Sequence, residues 1–235
     1  MKKNITSSCQ RLGAIVVLVL VAFMVEAAEH NTLSEAEKAA GWRLLFDGKK
    51  IEGWRGYGKD VPPADGWRID GETLHKVRGM RPGDIMTRET FDDFEFSWEW
   101  RLEAGGNNGV KYFIIPERKA TVGHEYQMID DRLIKDPLSS CAAFYLIVAP
   151  REDKPTKPMG EWNHSRLLVK GNHVEHWLNG VKVVEYECGS PEVMNQVPKT
   201  KFKKWPNFGK KVRGHLLLTD HSDPCWFRNL KIREL

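Results

Sequence analysis

The chain has 235 residues, with 36 Lys and Arg against 32 Asp and Glu, a formal net charge of +4, 41% hydrophobic residues and nine tryptophans. That length is enough for one large β domain or two small ones with a sizeable core. The small charge excess excludes nucleic acid as the expected partner, and the later cysteines, Cys141, Cys188 and Cys225, allow at most one disulfide and, with no CxxC pair, argue against a zinc–thiolate site.

At the N-terminus, Lys2, Lys3 and Arg11 precede an unbroken apolar run over residues 12–25, followed by small residues at Ala27 and Ala28. Positive, apolar, then small is the order of a secretory signal peptide, and the run falls short of the roughly 20 residues a membrane span needs. Residues 1–28 are therefore expected to be cleaved, leaving an exported protein, periplasmic or extracellular, with no membrane attachment. In residues 29–40, Ser34 is placed to cap a short helix running to Ala40.

From residue 41 onward the period is that of strands. FEFSWEWRL alternates Phe94, Phe96, Trp98, Trp100 and Leu102 against Glu95, Ser97, Glu99 and Arg101, which predicts one buried face and one polar face. GVKYFII and HEYQMI follow at short spacing. HSRLLVKGNHVEHWLNGVKVVEYE contains two tight connections, Gly171-Asn172 and Asn179-Gly180; the second suits the positive φ angles of a type I′ hairpin turn. Roughly a dozen strands with little helix predict an antiparallel sandwich or barrel, read as one domain over residues 41–235. Two longer irregular stretches interrupt it, at residues 149–161 and 189–213. The second holds the basic, aromatic-interleaved run KTKFKKWPNFGKKVR, read as a solvated loop whose Trp205 and Phe208 favour a position beside a site.

Five motifs in order, LLFDGKKIEGW, FEFSWEWRLEAGGNNGVKYF, GHEYQMID, GEWNHSRLLVKGNHVEHWLNGVKVVEYE and DHSDPCWFRNLKIREL, resemble the 3-keto-disaccharide hydrolase domain family. The resemblance covers nearly all of residues 41–235. It implies a concanavalin A-like jelly roll of two curved antiparallel sheets, with carbohydrate on the concave face. Where many family members have Gln-Asp-His-Gly, this chain has Thr219-Asp220-His221-Ser222.

The chemistry expected of a 3-keto sugar is proton abstraction. The ketone acidifies the C2 proton, the enolate expels the C1 oxygen, and water adds to the enone. Such a site needs a base, an acid for the leaving group, and a positive group or divalent cation for the enolate oxygen. His221 is the first candidate for the base or a metal ligand, and Asp130 is the second candidate ligand. Asp220 and Asp223, beside Pro224, read as orienting or turn residues. Alternation puts Glu125 and Gln127 on one face of their strand, Glu125 as acid or base and Gln127 as a hydroxyl contact, although a solvated outer face explains them as well. Arg228, between Trp226 and Phe227, is the candidate for the enolate oxygen, with a stacked structural arginine as the alternative. Glu99, Arg101 and Lys111 are substrate contacts or members of cross-strand ion pairs. Trp205 is the stacking candidate for a sugar ring, whereas Trp98, Trp100 and Trp177 read as core. His124, His164, His173, His176 and His215 show no metal spacing and read as structural. The function expected is an exported enzyme cleaving 3-keto-glycosides, with carbohydrate as partner and no cofactor beyond that divalent cation. The alternatives are a carbohydrate-binding module without catalysis and a matrix or partner-binding module.

Overall fold

The computed structural model describes residues 29–235; the expected signal peptide lies outside the described residues. Ser34 caps α1, Glu35–Ala39, in a reciprocal capping box with Glu37. Thirteen strands follow: β1 Arg43–Leu44, β2 Trp54–Gly56, β3 Trp67–Asp70, β4 Thr73–Lys76, β5 Ile85–Thr87, β6 Phe94–Leu102, β7 Asn107–Ile114, β8 His124–Ile129, β9 Asn163–Lys170, β10 His173–Leu178, β11 Val181–Glu187, β12 His215–Leu218 and β13 Cys225–Glu234. A second short helix, α2, spans Pro191–Gln196 inside the stretch expected to be irregular. Ser190 caps it and Pro191 opens it.

The strands form the two antiparallel sheets of the expected jelly-roll sandwich. The larger runs β11-β10-β9-β6-β13-β4-β3, with β1 also pairing with β13; the smaller runs β2-β5-β12-β7-β8. The ten-residue β13 is long enough to pair with β4 through Cys225–Phe227 and with β1 further on. Both two-residue connections in the β9-β10-β11 meander are hairpin turns, with Gly171 at φ +58°, Asn179 at +47° and Gly180 at +84°.

Between the sheets, alternate side chains of both interdigitate in one apolar core that includes Trp54, Phe96, Trp98, Trp100 and Tyr126. Trp177 corrects the expectation for β10. Val174, His176 and Leu178 point inward, while Trp177 is half-buried on the outer face under the Arg166 guanidinium, 4.1 Å from its ring centroid. His176 therefore enters the core, where it ends a polar chain linking the sheets. Its Nδ1 contacts the Ala142 carbonyl at 2.9 Å, so Nδ1 is the protonated nitrogen and Nε2 accepts from Tyr112 at 2.8 Å. Tyr112 in turn accepts from Tyr186 at 2.7 Å, and Tyr186 accepts from His124 Nδ1 at 2.7 Å. Cys141, Cys188 and Cys225 are buried and free; burial pushes the thiols of Cys141 and Cys188 up to about 12, leaving them protonated.

Candidate functional site

Register across the smaller sheet aligns Arg55, Met86, Leu217, Lys111 and Glu125 in one cross-strand row. Their sequence neighbours Trp54, Ile85, Leu218, Val110 and Tyr126 belong to the core, so the two-residue period turns the row to the outer face. There Met86, Leu217 and Ile114 form a separate apolar cluster with Tyr57 packed against it. Toward β8 the row becomes ionic. Glu125 as a residue is only 7% exposed; among the described residues its carboxylate accepts no hydrogen bond, and its oxygens are not among the fully buried atoms that lack a partner. Gly109 makes room for it, since a Cβ there would lie 2.5 Å from Glu125 Oε1. Lys111, directly opposite, donates to the Thr121 carbonyl at 3.2 Å, and Gln127, further along β8, donates to Asn107 Oδ1 at 3.2 Å.

Two segments distant in sequence close over this end. Residues 142–145 run along the free edge of β8, and the Tyr145 N–H donates to the Glu125 carbonyl at 3.1 Å. The basic run supplies Lys201. Its neighbours Phe202 and Phe208 are buried and stacked, with centroids 4.1 Å apart, so the run is pegged to the core and not simply solvated. Lys201 as a whole is exposed, but its ammonium sits 4.7 Å from the Tyr145 ring centroid. Desolvation there lowers its pKa; Glu125 acts in the opposite sense and Lys111 adds to the lowering. Gly109, Tyr145 and Lys201 were not singled out by the sequence. The only signal for Lys201 was the interleaving of aromatics with lysines.

The loop after β12 sorts its own polar residues. The Asp220 carboxylate lies 2.9 Å from the ammonium of fully buried Lys76 and accepts from the Gly83 N–H at 2.8 Å. Asp223 accepts from the Asn107 N–H at 3.1 Å, and the Ser222 carbonyl accepts from the Gly79 N–H at 2.8 Å. Asp220 and Asp223 thus fasten the loop, as the sequence suggested. Half-buried His221 between them makes no side-chain hydrogen bond among the described residues. A pocket of about 400 Å³ adjoins, lined by Tyr57, Arg81, Asp84, Thr121 and Asp220 among others, a volume within the small-molecule range. Through Thr121 it borders Lys111, and through Asp220 it borders the His221 loop.

Other sequence candidates go elsewhere. Glu99, Arg101 and Arg228 alternate with core residues of the larger sheet and face outward on the opposite side of the sandwich from Glu125. Arg228 Nε donates to Glu99 Oε2 at 2.6 Å across the strands, and its guanidinium lies 4.0 Å from the Trp162 ring centroid. Arg101 stacks on Trp226 at 4.5 Å. Ion pairing and stacking therefore account for all three, and Arg228 is not brought to a shared pocket with Glu125. Asp130 is buried and bound at both oxygens by Arg132, with the Gly105 N–H on one of them. The guanidinium holds its carboxyl well below the usual range and leaves little room for a cation. Among the described residues, ligand spacing occurs instead at His173, Glu175 and Glu185 on the β10-β11 hairpin, where the Lys182 ammonium already contacts both glutamates. Trp205, in the middle of the basic run, is half-buried beside a different cavity.

Fold and site together define a jelly-roll sandwich whose smaller sheet presents an ionisable, pocketed outer face. Residues 41–233 match the 3-keto-alpha-glucoside-1,2-lyase-like domain, and the chain belongs to that family. It is 29% identical to a 3-keto-disaccharide hydrolase of Bacteroides thetaiotaomicron, over all of this chain and 92% of that protein. Among solved structures, one described as a glycosyl hydrolase from Parabacteroides distasonis is 32% identical, covers 88% of this chain and 100% of its own, and superposes with a TM-score of 0.79. A second from the same organism is 27% identical, covers 83% of this chain and 99% of its own, and gives 0.67. These relatives support a glycoside-cleaving role.

Proposed function

We propose that the protein is an exported enzyme that cleaves 3-keto-glycosides, and that the outer face of the smaller sheet carries the reaction. The observation behind this reading is the Glu125 carboxylate, free of hydrogen bonds from the described residues, grouped with Lys111 and Lys201 next to a pocket that Thr121 lines. The named 3-keto-disaccharide hydrolase relative supports the substrate class, and the leader sequence alone supports export.

In this mechanism a base removes the C2 proton, and the C–H electron pair forms the enolate of the C3 ketone. The enolate then re-forms the carbonyl as C1 loses the glycosidic oxygen, which takes a proton from an acid. Water adds across the resulting enone, hydroxyl to C1 and proton to C2, completing net hydrolysis. His221 and Glu125 serve as the base and acid pair. Lys111 and Lys201 take the part the sequence suggested for Arg228, placing positive charge near the enolate oxygen. Gln127 contacts a hydroxyl.

The test is to incubate the mature protein with a 3-keto-glucoside and with its unoxidised parent. Release of the aglycone from the oxidised compound alone is expected, with Glu125→Gln and His221→Ala each lowering kcat by about 10²–10⁴ while remaining folded. Equal rates in wild type and both variants would reject the assignment.

A further inference from the structure

The connection between β7 and β8, residues 115–123, borders two cavities: Thr121 lines the one described above, and Glu117 and Arg118 line the other. This second cavity has a volume of about 370 Å³. Ile115, Val212 and Trp205 give it apolar walls, and Glu117, Arg118 and Asn207 bring polar groups to it. The backbone that carries the indole is anchored: the Trp205 backbone N–H donates to the Phe202 carbonyl at 3.0 Å, the Trp205 carbonyl accepts from the Phe208 backbone N–H at 3.2 Å, and both phenylalanines are buried in the core. The indole itself lies against Phe202, with ring centroids 6.5 Å apart. The Lys204 ammonium lies 4.3 Å from the Trp205 ring centroid, and Lys204 is not among the residues that line the cavity. Arg118 is also fixed: its Nη1 donates to the carbonyls of Phe113 and Val122 at 3.3 and 3.0 Å, and its remaining N–H groups make no hydrogen bond among the described residues. The Glu117 and Asn207 side chains likewise make none among those residues.

A flat apolar surface with an amide, a carboxylate and a guanidinium at its rim suits a pyranose, whose C–H face is apolar and whose edge carries hydroxyls. We propose that this cavity is a second carbohydrate subsite, in which Trp205 stacks on a sugar ring and Glu117, Arg118 and Asn207 take its hydroxyls. The subsite rests on the reading of the protein as one that acts on carbohydrate, but not on any chemistry at Glu125. It also implies that substrates longer than a disaccharide gain affinity.

Calorimetric titration with unoxidised maltotriose, with p-nitrophenol as an aromatic control, tests the subsite without catalysis. Maltotriose is expected to bind the wild type, and Trp205→Ala to weaken it by about twofold to tenfold, the range an aromatic contact of ordinary strength gives. Trp205→Phe and Asn207→Ala are expected to lose less and serve if Trp205→Ala does not fold. No maltotriose binding by the wild type, unchanged affinity in all three folded variants, or binding of p-nitrophenol in preference to the saccharide would each overturn the subsite. If 3-keto-glucosides are not cleaved but Trp205→Ala still weakens maltotriose binding, the catalytic reading fails and the subsite stands.

Discussion

At Glu125 a carboxylate lies over a glycine, with one lysine across the strand and another brought in by a loop. The alternation of GHEYQMI made the outward direction of Glu125 and Gln127 legible, because a strand's period of two needs only the local sequence. Gly109 was not legible, since the atom that excludes a side chain there belongs to the next strand. Gly109→Ala should therefore act on the carboxylate more than on the fold. The clash is with the far end of a flexible side chain, so stability is expected to fall by less than about 1 kcal/mol, while kcat on a 3-keto-glucoside falls at least about tenfold. Kinetics beside a urea titration would show both; an unchanged kcat would mean that the position of Glu125 is immaterial. Arg228 provides the contrast. Its pairing with Glu99 on the far face predicts that Arg228→Met costs roughly 1–2 kcal/mol of stability and leaves kcat within about threefold of wild type. A loss of several hundredfold would return Arg228 to the reaction.

The loop of residues 219–224 depends on two elements that belong to different sheets. Lys76 at the end of β4 is wholly buried, donates to the carbonyls of Val77 and Met80, and reaches Asp220 beyond β12. The pair ties the sheets together and aims the segment that carries His221. Asp220→Asn keeps the shape but leaves the ammonium without a counter-charge, for which a loss of about 3–5 kcal/mol is expected in denaturant titrations. Adding Lys76→Met should recover most of it; no recovery would show that the charge pair is not the cause. Elements closed by short-range chemistry were readable in advance, such as the Asn179-Gly180 hairpin, where positive φ at both turn residues favours that dipeptide. Helix α2 was missed although Ser190 and Pro191 spell a cap and first turn, because six residues leave too little period to see. The partner of Asp220 was not readable at all, since 143 residues of chain lie between it and Lys76.

Across the whole molecule, the chain from His124 through Tyr186 and Tyr112 to His176 links the two sheets through the core and requires neutral imidazoles. Burial depresses the pKa of His176 to about 4 and that of His124 well below its ordinary value; His75, His164 and His215 are lowered for the same leading reason. In the unfolded chain these groups take up protons as pH falls through about 6.5, whereas in the fold they resist until lower pH. The unfolded state then binds more protons, so stability is full above about pH 6.5 and is lost as pH falls toward 4. His176 alone accounts for on the order of 3 kcal/mol. Urea midpoints at pH 7.5 and 4.5 measure this, and equal midpoints would contradict it. Tyr112→Phe, which leaves the Tyr186 hydroxyl without its acceptor and His176 without its donor, should cost about 1–3 kcal/mol at pH 7.5.

By itself the sequence determined the strands, most of their inward faces and two turns, because each follows from a period or a dipeptide acting over a few residues; periodicity left sandwich or barrel open, and the family resemblance pointed to the sandwich. Only the tertiary structure decided which outward faces share a side. It put Glu125 and Arg228 on opposite faces of the sandwich, gave Asp220 to Lys76, and brought Lys201 toward Glu125 on β8. Alternation fixes in or out for each strand, but which sheet a strand joins is settled by pairing between residues far apart in the chain, and that carries no local signature.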